Sequence, residues 1–132
     1  MGPLVMVVED DPYLALTLKG ILEEHGNEVL LAKDGEEALD LLGVSRVPAL
    51  IILDLVLPRL DGWNLLEILH EVSPVPVIAT SGLAPACLAK HATVFLPKPL
   101  DLDELLGEVE RCLGARTSLD TAPGPRAPDQ AS

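Results

Sequence analysis

Five short aliphatic runs punctuate the chain: Leu4 to Val8, Glu28 to Leu31, Leu50 to Leu53, Val75 to Ala79 and Thr93 to Leu96. Their apolar residues are continuous rather than alternating, which is the pattern of strands covered on both faces. Between them apolar positions recur at helical spacing. Tyr13, Leu14, Leu16, Leu18, Ile21 and Leu22 form one set, Ala38, Leu39, Leu41 and Leu42 a second, and Leu65, Leu66, Ile68 and Leu69 a third. Start signals agree with this reading. Asp11 followed by Pro12 suits an N-cap and a first helical position, while Asp34 with Glu37 and Asp101 with Glu104 have the spacing of capping boxes. The last of these predicts a helix from about Leu102 to Leu113, and a weaker helical pattern spans Pro85 to His91. From Gly114 the composition turns to Ala, Pro, Gly, Thr and Ser, with Pro123, Pro125 and Pro128. Residues 1–114 therefore read as one domain and 115–132 as a disordered Pro/Ala-rich tail or linker.

Strands alternating with helices imply a parallel sheet with helices on both faces, because each crossover must bury an apolar stripe against it. Right-handed crossovers then predict an α/β, doubly wound, five-stranded sheet in the order 2-1-3-4-5, a flavodoxin-like (βα)5 arrangement with a shortened fourth helix. At 132 residues and 48% apolar content the chain can bury a real core. Its formal charge of −12 argues against direct contact with nucleic acid or an anionic membrane, since phosphates would be repelled. The run "PLVMVV" is too short for a signal segment and is followed at once by three acids, so a cytoplasmic location with no membrane span is expected. Cys87 and Cys112 stand apart from each other and from any Cys/His cluster, and are expected to be buried reduced thiols. His25, His70 and His91 are scattered, which suits solvated or helix-end roles.

The chemistry follows from where the strands end. In a doubly wound sheet, ligands bind beyond the carboxyl ends of the strands, where the winding reverses between the first and third. The residues there are Glu9 and Asp10 after the first strand and Asp54 at the tip of "IILD". Three carboxylates from separate segments repel one another, so a neutralising partner is required. An oxygen-only donor set suits a hard divalent cation, and Mg²⁺ best, because it accepts a few carboxylates and keeps waters that phosphate oxygens can replace. The fourth and fifth strands end in "IATSG" and "FLPKP", bringing Ser81 and Lys98 to the same edge as donors for a phosphoryl group, with Asp54 as the nucleophile of an in-line transfer. Taken singly, each has a plainer reading: Glu9, Asp10 and Asp11 as a solvated cap, Ser81 as a turn residue, Lys98 as a surface lysine and Phe95 as core. Their fixed order along the chain favours the joint one.

The pieces "VVEDDP", "DGEEAL", "IILDLVLPRLDGW", "PVIATSG" and "FLPKPLDLDEL" together resemble the response-regulator receiver domain of two-component signalling, over residues 4 to about 113. The resemblance implies that Asp54 accepts a phosphoryl group from the phosphohistidine of a sensor histidine kinase or a phosphotransfer protein. It implies Glu9 and Asp10 as Mg²⁺ ligands beside Asp54, with the backbone carbonyl of Val56 as a further one. It matches Ser81 and Lys98 to the hydroxyl and lysine positions, Ser81 and Phe95 to the switch pair, and Lys98-Pro99 to a cis peptide. In physical terms, the added charge and acceptor oxygens on Asp54 would draw in Ser81 and vacate space that the Phe95 ring can fill. Such a protein is no general enzyme; it acts only on itself and signals to a downstream protein target, with a homodimer left open.

Several departures from the family pattern matter. Only residues 82 to 94 separate Ser81 from Phe95, a short span that bears on the surface the family commonly uses for output. Phe95 lacks a phenolic hydroxyl, so a switch there works through burial. Val56 and Leu83, two residues beyond Asp54 and Ser81, are apolar where polar side chains often help place hydrolytic water, so slow self-dephosphorylation is expected. Other functions fit less well. An aspartate-nucleophile phosphatase wants an acid/base aspartate where Val56 stands, and a flavin phosphate would meet Glu9, Asp10 and Asp11. A phosphorylation-independent receiver-like interaction module is the remaining alternative; the intact acids, Ser81 and Lys98 oppose it, while the shortened fourth helix favours it. No output segment is recognisable after Leu113, which suits either a stand-alone receiver or a piece of a longer chain.

Overall fold

The computed structural model describes residues 2–44, 47–56, 62–72, 75–82 and 92–121, with the side chains of 62, 63, 72 and 115–121 outside the description. Five strands are described: β1 (Leu4–Val8), β2 (Glu28–Ala32), β3 (Leu50–Asp54), β4 (Val77–Ser81) and β5 (Val94–Pro97). They form one parallel sheet in the order β2-β1-β3-β4-β5, as the alternation of elements predicted. Four helices are described: α1 (Pro12–Glu24), α2 (Gly35–Val44), α3 (Gly62–Val72) and α4 (Leu102–Thr121). The expected short helix over Pro85 to His91, together with Leu83 and Cys87, lies outside the described residues, so α4 here denotes the helix that follows β5.

Continuous aliphatic strands divide their side chains between two layers, because successive residues face opposite ways. Met6, Val8, Ile51, Leu53, Val77 and Ala79 pack with Ala38 of α2 and with Leu65, Leu66 and Leu69 of α3. Val5, Val7, Leu50, Ile52, Ile78 and Leu96 pack with Leu18 and Leu22 of α1 and with Leu105, Val109 and Cys112 of α4. Each fully buried aliphatic side chain contributes roughly 1.5–3 kcal/mol, so the three central strands β1, β3 and β4, buried throughout, anchor the fold. Pro97 ends β5 at the sheet edge, where a missing N–H does least harm.

The helix ends follow local chemistry. Asp11 Oδ1 accepts from the N–H groups of Tyr13 and Leu14, and Pro12 opens α1. At its other end Gly26 adopts φ +90. Its N–H donates to Glu23 O and that of Asn27 to Leu22 O, the paired closure that needs a left-handed residue after the cap. Before α2, Glu37 N–H donates to Asp34 Oδ1 at 2.8 Å, while the Glu37 carboxylate accepts from the N–H of Lys33 at 2.7 Å. Asp101 likewise accepts from Glu104 N–H.

One boundary differs from the reading of the sequence. The last helix continues past Leu113 to Thr121, beyond the composition change at Gly114. A single interior glycine costs only about 1 kcal/mol, and no proline stands in the sequence between Leu102 and Thr121. The helix therefore runs beyond the point where apolar periodicity fades. Residues 122–132, the rest of the expected tail, lie outside the described residues.

Candidate functional site

The carboxyl edge of the sheet gathers the polar residues that the strands themselves exclude. Glu9, directly after β1, is buried, held by its N–H to Ala32 O at 3.0 Å and by an acceptor bond from Asp11 N–H to its Oε2 at 3.2 Å. Asp54 closes β3 and is 4% exposed; its Oδ1 accepts from Val56 N–H at 2.9 Å. Asp10 is exposed beside them. One carboxylate oxygen from each of Glu9, Asp10 and Asp54 falls within 4.8 Å of the others.

Lys98 answers this charge. Its Nζ donates to Glu9 Oε1 at 3.0 Å and to Asp54 Oδ2 at 3.1 Å. The backbone aims it, since the Lys98 N–H donates to Ser81 O at 3.0 Å, extending the β4–β5 ladder by one rung. The Lys98-Pro99 peptide is cis, as the resemblance implied. Burial pushes the Glu9 carboxyl above its ordinary range; the hydrogen bond from Lys98 works against that shift, and the nearby charge of Asp54 adds to it. For Lys98 burial acts downward, but hydrogen bonds to Glu9 and Asp54 and the charges of both carboxylates outweigh it, so its ammonium is held above the ordinary lysine value. Among the described residues, one cation, Lys98, bonds within this group of three anions. The surplus, the oxygen-only donor set and the exposure of Asp10 toward solvent together fit a divalent cation held by Glu9, Asp10 and Asp54.

The other expected residues lie around this centre. Ser81 closes β4, buried and two residues beyond Ala79, whose register partner on β5 is Phe95. Phe95 is half-buried and packs on the α2/α3 layer, so Ser81 and Phe95 lie on neighbouring strands near the same edge. Val56 is 46% exposed, its N–H tied to Asp54 and its side chain apolar at the mouth of the site. Two features escaped the sequence reading. The bond from Lys98 to Glu9, 89 residues away, depends on strands β1 and β5 being folded into one sheet. Thr80 is 1% exposed and pairs in register with Asp54. The only hint of it was a second hydroxyl in "IATSG".

Comparison with known proteins agrees with this geometry. A family model for the response regulator receiver domain matches residues 5–110. The response regulator MprA of Mycobacterium sp. (strain KMS) is 38% identical over 125 residues, covering 90% of this chain and 54% of the relative. The transcriptional regulatory protein CpxR of Escherichia coli (strain K12) is 34% identical over 114 residues, 83% of this chain and 48% of that protein. Among solved structures, the receiver domain of Francisella response regulator 1452 superposes with a TM-score of 0.81 at 33% identity, covering 87% of this chain and 99% of that one. The fold and site define an α/β domain of the receiver type. The chain belongs to the response regulator receiver domain family of two-component systems. It spans about half the length of the relatives it matches. Among the described residues no helix is long and apolar enough to cross a membrane.

Proposed function

We propose that this domain is a cytoplasmic phosphoryl-accepting switch in which Asp54 takes a phosphoryl group from the phosphohistidine of a sensor histidine kinase or phosphotransfer protein. The observation that carries this reading is the environment of Asp54: a buried carboxylate at a strand end, 3.1 Å from an ammonium and within 4.8 Å of two further acids. An unreactive core would have no use for such a cluster, because burying carboxylates beside one another is costly.

In the transfer, an oxygen of Asp54 attacks phosphorus in line, the phosphorus–nitrogen bond to the donor imidazole breaks, and the imidazole leaves with a proton. Lys98 neutralises charge gathering on the phosphoryl oxygens, and the Ser81 hydroxyl donates to one of them. Glu9, Asp10, Asp54 and the Val56 carbonyl would hold Mg²⁺, which supplies Lewis-acid stabilisation when bound. The newly charged group then recruits Ser81, and the ring of Phe95 moves toward the space released, altering the surface read by a downstream protein. A tenfold shift between the two states needs only 1.4 kcal/mol, within reach of one charge-assisted hydrogen bond. The domain catalyses no turnover other than its own phosphorylation and dephosphorylation.

The test is incubation with acetyl phosphate and Mg²⁺, or with beryllofluoride, followed by intact mass and Trp63 fluorescence. Wild type should gain one phosphoryl group and Asp54→Asn none. An unmodified wild type, or equal modification of both, would leave a phosphorylation-independent interaction module in its place.

A further inference from the structure

Thr80 has no role in the mechanism above, yet it is the polar neighbour of Asp54 that is almost fully enclosed. It is 1% exposed, and its hydroxyl has no hydrogen-bond partner among the described residues. A buried hydroxyl without a partner is disfavoured, and native interiors rarely keep one that serves nothing. A valine would fill the same volume without that cost.

Its placement suggests what the hydroxyl is for. Thr80 pairs in register with Asp54 across the parallel β3–β4 ladder, so both side chains leave the sheet on the same face. Neighbouring strands stand about 4.8 Å apart, and a γ-hydroxyl on one with a phosphorylated carboxylate on the other closes most of that gap. The strand order adds a second constraint. Lys98 leaves the end of β5 and crosses the end of β4 to reach Asp54 on β3, so its ammonium is delivered to the same sheet edge at which Thr80 lies, 1% exposed.

Resting on the phosphoacceptor reading, we infer that Thr80 is a second hydroxyl donor of the pocket, left unmet in the resting protein and satisfied by an oxygen of the phosphorylated Asp54 side chain. Its effect is to raise the free energy of the unmodified state relative to the modified one. Thr80 thus biases the switch toward the phosphorylated form from inside the sheet, while Ser81 acts at the strand end.

The test uses Thr80→Val, which keeps the β-branched shape and removes the hydroxyl, and Thr80→Ser, which keeps the hydroxyl. In the presence of Mg²⁺, Thr80→Val should bind beryllofluoride about tenfold more weakly than wild type, with Thr80→Ser close to wild type. Without either ligand, the melting temperature of Thr80→Val should equal or exceed that of wild type. A packing defect would instead lower the melting temperature of the unmodified variant. Wild-type affinity for beryllofluoride in Thr80→Val overturns this inference alone, as does weakened affinity accompanied by a lowered melting temperature. Failure of wild type itself to bind beryllofluoride overturns the phosphoacceptor reading and this inference with it.

Discussion

Two ion pairs in this domain have nearly the same length and very different settings. On α1, Lys19 and Glu23 meet at 2.8 Å with side chains 38% and 46% exposed. At the sheet edge, Lys98 meets Glu9 at 3.0 Å with side chains 24% and 4% exposed, and meets Asp54 as well. Length alone would rank the first pair as the stronger. Setting reverses the order, because water screens the first pair and both partners can part at little cost. If Lys98 is lost, two buried carboxylates are left facing each other with nothing between them. The first pair decorates a helix; the second determines whether the site can exist.

The largest test of that contrast is Lys98→Met in metal-free protein at neutral pH. Urea unfolding should show a loss of about 3 kcal/mol, the usual consequence of leaving a buried charge unpaired, with part of the loss recovered on adding Mg²⁺. A loss below about 0.5 kcal/mol would place Lys98 among the surface pairs. Glu9→Gln should move the other way in the same buffer. Burial raises the Glu9 carboxyl, so the folded state binds that proton more tightly than the unfolded chain does. Its ionisation therefore costs stability, a penalty absent at low pH and growing as pH rises above about 4.3. At neutral pH the amide should stabilise the metal-free protein by about 1 kcal/mol while weakening Mg²⁺ binding.

A kinetic prediction sharpens the comparison at the mouth of the site. Val56 presents an apolar side chain beside Asp54, the proposed phosphoacceptor, so Val56→Glu should speed loss of the phosphoryl group by about tenfold through better placement of water. A half-life of seconds in the wild-type protein with Mg²⁺ would remove the premise. At alkaline pH, burial pushes the Cys112 thiol up, and Lys98 is also raised. In both cases the folded state holds the proton past the unfolded value, so stability is complete below about pH 8.5 and falls as pH climbs above it, first through Cys112 and then, beyond about 10.4, through Lys98. Replacing Cys112 with alanine should remove the earlier decline in a pH series of melting curves and leave the later one. The smallest effect belongs to Lys19→Ala, about 0.3–0.5 kcal/mol and weaker still in high salt.

Much of this architecture is written in short-range patterns. Continuous aliphatic runs marked the strands because a strand covered on both sides has no polar face to show. Asp11-Pro12, Asp34 with Glu37, and Asp101 with Glu104 marked helix starts because capping is a contact between residues a few positions apart. Glu9, Asp10, Asp54, Ser81 and Lys98 were legible for a related reason: each follows or closes a strand, and in a doubly wound sheet all those ends share one edge. The continuation of α4 to Thr121 was not legible from composition, since Gly114 weakens a helix without ending it.

The sequence by itself determined the strand order, the sharing of one edge by these ends and the excess of negative charge gathered there, because local periodicity and the handedness of crossovers leave few alternatives. Only the tertiary structure decided that Lys98 bridges Glu9 as well as Asp54, and that Thr80, whose hydroxyl has no hydrogen-bond partner among the described residues, stands in register with Asp54. Those contacts depend on strand register and side-chain reach across residues far apart in the chain, and no pattern along a single segment encodes them.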